Sequence, residues 1–154
     1  MKGIICLILA AVCLAGTAAA QETNATNTEH EAIREAALNY IEGWYEGNVD
    51  RMDKALHPDL AKRQVVTMRN GRNFINTLSK SMMLEYTQAG GGTRTPKEKV
   101  KHTVTILDAE STMASVKVVS TDFIDYLHVA KSNGEWKIIN VLWEPSKDRV
   151  EKKK

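Results

Sequence analysis

From Ile33 onward, apolar residues recur at three- and four-residue steps: Ile33, Ala37, Tyr40, Ile41 and Trp44. One stripe at that spacing predicts an amphipathic helix. Thr28 with Glu31 three residues on fits a capping box and puts the helix start there. Gly47-Asn48 stops the helix. Asn48 caps a short second helix with Met52, Ala55 and Leu56 turned inward, and His57-Pro58 closes it, because a residue before proline avoids helical geometry. Lys62 to Met68 predicts a short strand and Asn70-Gly71 a turn. Phe74, Leu78, Met82 and Tyr86 recur at four-residue steps and predict a third helix from about Asn73 to Gln88. Gly90-Gly91-Gly92 ends it. No strand precedes these glycines and no Gly-Lys-Ser follows, so they predict a mobile connector rather than a phosphate loop.

The remainder alternates as strands do. Lys99 to Leu107 and Thr112 to Thr121 flank a turn at Asp108 to Ser111. Phe123 to Lys131 and Glu135 to Trp143 flank Asn133-Gly134, the strongest short hairpin signal. A two-residue loop there sets Ser132 opposite Glu135, Val129 opposite Ile138, Leu127 opposite Asn140 and Asp125 opposite Leu142. The other side then carries Ala130, His128, Tyr126 and Ile124 against Lys137, Ile139, Val141 and Trp143. Both sides are apolar through the middle, whereas a sheet with one wet face should be polar on it. One side packs on the helices, and the other calls for a second copy of the chain, which predicts a homodimer through the sheet. Helices followed by antiparallel strands give a segregated α+β layout.

The first twenty residues stand apart. Lys2 is followed by an apolar run from Ile4 to Ala15, and Ala18-Ala19-Ala20 fits cleavage before Gln21, which predicts a cleaved export signal over 1–20 and a secreted or periplasmic protein. The run is too short and alanine-rich for a membrane anchor, which needs about 20 apolar residues. Val12 and Ala10 before Cys13 fit a lipidation site poorly. Residues 21–27 are polar and predict a disordered leader, 28–146 the folded domain, and 147–154 a charged tail. Removing 20 of 154 residues leaves 134, enough for one core. Both cysteines, Cys6 and Cys13, lie in the signal, so the mature chain has no disulfide, thiolate metal site or cysteine nucleophile. A net charge of +2 lacks the basic excess of a nucleic-acid binder.

Gly43-Trp44-Tyr45 with Gly47-Asn48, then Leu56-His57-Pro58, Asp125-Tyr126-Leu127-His128, and Trp136-Lys137-Ile138 with Trp143 resemble the putative lumazine-binding family. That family belongs to the nuclear-transport-factor-two-like superfamily, which also holds ketosteroid isomerases and polyketide cyclases. The likeness spans roughly Glu31 to Pro145. It implies a cone-shaped α+β fold, with three N-terminal helices packed on a curved antiparallel sheet and a pocket between them. Ketosteroid isomerases use a carboxylate base, a tyrosine and a protonated aspartic acid. Alignment on Gly47-Asn48 sets Tyr40 near the tyrosine position but puts Gln64 at the base position, and an amide cannot take a proton at neutral pH.

Asp122, Asp125 and His128 are the acid–base candidates. On the hairpin, Asp125 and His128 point to opposite sides and form no dyad, and strand-end hydrogen bonding is the simpler role for such groups. His30, His57, His102 and His128 show no metal-ligand spacing, so no metal and no cofactor are expected. If the Tyr126 side of the sheet is the concave one, then Tyr40, Trp44, Tyr126, His128 and Trp143 line the pocket. A ring-lined pocket suits a small apolar or planar molecule. The leading expectation is a secreted, non-catalytic small-molecule-binding domain. The alternatives are an isomerase- or dehydratase-like enzyme using His128 or Asp122 as base, and a protein-interaction module.

Overall fold

The computed structural model describes the backbone of residues 13–147 and side chains from residue 27. Residues 1–12, the greater part of the expected export signal, and 148–154 of the charged tail lie outside the described residues. Helix α1 (Cys13–Glu46) is followed by α2 (Val49–Ala55), β1 (Leu56–Thr67), β2 (Asn73–Leu78), α3 (Lys80–Gln88), a single 3-10 turn, and then β3 (His102–Ala109), β4 (Met113–Ser120), β5 (Phe123–Ser132) and β6 (Glu135–Pro145). The strands form one sheet in the order β2-β1-β6-β5-β4-β3. All neighbours are antiparallel except β1 and β6, which run parallel.

The α1 stripe packs as its spacing requires, with Ile33, Ala37, Tyr40 and Ile41 buried and Trp44 half-buried. The helix does not begin at Thr28. It runs unbroken from Cys13 through the segment expected to be a leader, consistent with the high helix propensity of its alanine-rich stretch. Glu29 ties this helix to the far hairpin, accepting from Lys131 Nζ and Trp136 Nε1, each at 2.7 Å. Asn48 caps α2 by accepting from the Arg51 amide at 3.1 Å, and Met52, Ala55 and Leu56 are fully buried.

The expected helix from Asn73 to Gln88 divides in two. Its first part is β2, which pairs back on β1 across the Asn70-Gly71 turn (Lys62 opposite Leu78, Val66 opposite Phe74). Ser79 caps the remainder, α3, accepting from Met82 N–H at 3.3 Å. A step of four residues returns to the same face of a strand as well as of a helix, so the spacing of Phe74 and Leu78 does not separate the two. The glycines after α3 are packed tightly. A Cβ on Gly91 would lie 2.4 Å from Trp44 Cη2, and one on Gly92 would lie 2.2 Å from the Trp44 carbonyl oxygen. Only glycine lets this loop approach α1 so closely, and the loop is a packed wall rather than a mobile connector.

The β5–β6 hairpin follows the expected register from Ser132–Glu135 to Val129–Ile138. Asn133 and Gly134 both take positive φ (52° and 83°), as a two-residue turn of this hand demands. Beyond Ile138 the register shifts by one, and His128 faces Asn140, Leu127 faces Val141, and Asp125 faces Trp143. Ile139 is the extra residue of a β-bulge. The shift reverses the facing of every later β6 side chain. Val141 joins Leu127, Val129 and Ile138 in the buried, helix-facing layer, and Trp143 takes the same side, while Leu142 turns outward and is 52% exposed.

Candidate functional site

The same bulge decides what surrounds the main cavity. A volume of about 530 Å³ opens between α1, the β1–β2 end of the sheet, α3, and the adjoining ends of β5 and β6. Tyr40, Ile41 and Trp44 of α1 form one wall. Leu78 of β2 with Met83 and Tyr86 of α3 form a second, and Phe123, Trp143 and Pro145 a third. Lys62 and Gln64 of β1 and Asn76 of β2 contribute its polar groups beside the Tyr40 hydroxyl. The rings pack edge to face, Trp44 on Phe123 at 6.1 Å and Phe123 on Trp143 at 5.3 Å between centroids. That geometry suits the charge distribution of aromatic faces and edges.

Beneath the rings lies a buried polar cluster. Lys62 Nζ donates to Asp125 Oδ1 at 2.7 Å and to the Tyr40 hydroxyl oxygen at 2.5 Å. Tyr40 in turn donates to the same Asp125 oxygen at 2.8 Å. Asp125 is 0% exposed and the Lys62 side chain 7%. The ammonium also lies 4.6 Å from the centroid of Trp143, 5.2 Å from Tyr40 and 6.0 Å from Phe123, within reach of cation–π attraction. Burial lowers the Lys62 ammonium below its usual range, and Asp125 opposes that shift. Burial pushes the Tyr40 phenol well above its usual range, and the neighbouring Asp125 carboxylate adds to the rise. Three polar atoms in this region are buried without a hydrogen-bond partner among the described residues: Asp125 Oδ2, Gln64 Oε1 and Trp143 Nε1.

The structure brings Tyr40, Trp44 and Trp143 together at the cavity and leaves Tyr126 and His128 out of it. Both lie on the opposite face of the sheet, Tyr126 at 46% exposure and His128 in contact with Asn140, Nδ1 to Nδ2, at 3.2 Å. The unshifted register had put Tyr126, His128 and Trp143 on one side, and the bulge separates them. Asp122 sits outside the cavity at the β4–β5 turn, where its carboxylate accepts from the Thr95 hydroxyl at 2.7 Å and its amide donates to Tyr45 at 3.1 Å. His57 Nδ1 accepts from the Asp59 amide at 3.2 Å, and His102 pairs with Glu42 of α1 at 3.2 Å. Among the described residues no group of three or more His, Cys, Asp or Glu could hold a metal ion, and no helix is long and apolar enough to cross a membrane.

The expected pocket set lacks Lys62, along with Phe123 and the β2 and α3 wall of Leu78, Met83 and Tyr86; Lys62 is the charged one. Its signal was alternation: Leu60, Lys62, Gln64 and Val66 share one face of β1, with Leu60 and Lys62 buried. A lysine in phase with buried leucine on a strand marks an inward charge that requires a partner.

One sheet, helices across one of its faces, and a ring-lined cavity between the layers define a nuclear-transport-factor-two-like α+β protein. The chain belongs to the family described as putative lumazine-binding, whose model matches residues 28–144. Solved structures agree on the fold. A nuclear-transport-factor-two-like protein of unknown function from Silicibacter pomeroyi superposes with a TM-score of 0.62 at 14% identity, covering 79% of this chain and 98% of that one. A second such protein, from Methylobacillus flagellatus, gives 0.60 at 20% identity, over 77% and 93%. A protein described as a putative scytalone dehydratase, from Novosphingobium aromaticivorans, gives 0.56 at 16% identity, over 80% and 88%. At these identities the likeness establishes the fold alone. No protein of curated function matches the chain.

Proposed function

We propose that this is an exported domain that holds a small, flat, largely apolar molecule in the cavity between α1 and the sheet, and that it does so without catalysing a reaction. The observation that carries the proposal is the cavity itself. Its volume of about 530 Å³ falls in the range of ligand sites, and its walls are aromatic and aliphatic with few polar groups. The family's description, putative lumazine-binding, also points to a small-molecule ligand. In favour of binding over turnover, Asp122 and His128 stand away from the cavity, and Gln64, which the resemblance aligns with an isomerase base, lines it as an amide. Export rests on the signal-like segment over 1–20.

The same proposal includes a homodimer. Val65, Ile75, Val119, Tyr126 and Leu142 are exposed large apolar side chains on the outer face of the sheet. An apolar surface spread over five strands is what a second copy would cover. Native mass spectrometry of protein purified from its own host tests both parts. The expected result is a dimer mass carrying one small organic molecule per subunit. A bare chain whose cavity also fails to take up added naphthalene overturns the binding proposal, and a monomer at micromolar concentration overturns the dimer.

A further inference from the structure

The cavity is apolar almost everywhere, yet an ammonium group forms part of its lining. Lys62 and Asp125 balance each other in charge but are not placed alike, because Lys62 lines the cavity whereas Asp125 does not. A ligand therefore meets the cation of the pair, with its counter-charge behind it. Two of the three N–H donors of an ammonium are engaged here, one by Asp125 and one by Tyr40, which leaves a third. On other lining residues, Trp143 Nε1 is a buried donor and Gln64 Oε1 a buried acceptor without a partner among the described residues. An unmatched buried donor is costly, and a matching acceptor removes the cost.

We propose that Lys62 is the polar anchor of the cavity and receives an oxygen acceptor of the ligand (a ring carbonyl, an enolate or a carboxylate) while the aromatic walls hold the ring. The site then prefers flat oxygenated ring compounds, neutral or anionic, and rejects cationic amines of the same shape. Asp125 and Tyr40 are positioning residues in this scheme: they hold the ammonium in place and keep it charged in a dry site. The oxygen needs no cofactor and no bond changes. This inference rests on the small-molecule-binding proposal and adds the chemical class of the ligand.

The test uses three probes of one shape: 2-naphthoate, naphthalene and 2-naphthylmethylammonium. Their binding to the full exported chain is measured by isothermal titration calorimetry. Naphthoate should bind at least about tenfold more tightly than naphthalene, as one charge-assisted hydrogen bond provides, and the ammonium probe should bind weakest. In Lys62→Met/Asp125→Asn, which removes both charges together, the ratio of naphthoate to naphthalene affinity should fall to about one. The wild-type order alone decides the matter if the double variant does not fold. Naphthalene binding as tightly as naphthoate, or the ammonium probe binding tightest, overturns the anchor and leaves the binding proposal standing. Failure of all three probes overturns both.

Discussion

Replacing Lys62 by methionine should be among the most damaging single changes available to this fold. Methionine fills nearly the same space, so the cost comes from charge rather than from a void. Asp125 is 0% exposed and accepts from Lys62 at 2.7 Å and from Tyr40 at 2.8 Å through one oxygen, while its other oxygen has no partner among the described residues. Without Lys62 the carboxylate keeps a single neutral donor. Breaking a buried ion pair from one side costs about 3–5 kcal/mol, because the remaining charge stays desolvated. Domains of this size are stable by about 5–15 kcal/mol in total, so the variant should unfold at much lower urea or fail to fold. Adding Asp125→Asn removes the stranded charge and should recover at least half of the loss. Urea denaturation followed by far-ultraviolet circular dichroism, with unchanged slope, measures both effects. A loss under about 1 kcal/mol for Lys62→Met would refute the reasoning, since that is the cost of a solvated surface pair.

Other consequences can be checked separately. Gly92→Ala should destabilise the fold by at least about 1–3 kcal/mol and change tryptophan fluorescence, since its Cβ would meet the backbone of Trp44 at 2.2 Å; an unchanged melting temperature would contradict the packed loop. Asn48→Ala should cost about 1 kcal/mol by uncapping α2, read from the same urea curves. Burial raises the Tyr45 phenol from 10.0 to about 12, so its stabilising contribution is complete below pH 10 and disappears as pH rises through about 12. That gap limits the loss to about 3 kcal/mol. Tyr45→Phe should flatten the alkaline fall in melting temperature, and an identical fall in the variant would exclude Tyr45 as its source. Leu142→Asp on the outer sheet face should give a monomer by sedimentation velocity with the ring cavity intact, and a persisting dimer would move the interface elsewhere.

Local signals carried most of the architecture. The stripe from Ile33 to Trp44, the Asn48 cap and the Asn133-Gly134 turn each depend on neighbours in sequence, and each stands in the structure as its pattern requires. Two expectations failed because their signal was ambiguous. Spacing by four fits helix and strand alike, and at Phe74 and Leu78 the strand is the one that forms. Three glycines in a row look like slack until Trp44 is found against them. The site was only half legible: Tyr40, Trp44 and Trp143 belong to regular stripes, but one bulge at Ile139 set Trp143 apart from Tyr126 and His128.

The amino-acid order by itself determined the α+β layout, the hairpin turn, the export-like segment and the absence of a cysteine from the chain beyond residue 20, because each is written within a few consecutive positions. Only the tertiary structure decided that Lys62 is buried, since the groups that make its burial tolerable lie 22 and 63 residues away along the chain. It likewise decided which face of β6 looks into the cavity. A strand's side chains alternate strictly, and a single unpaired residue at Ile139 reverses all those beyond it.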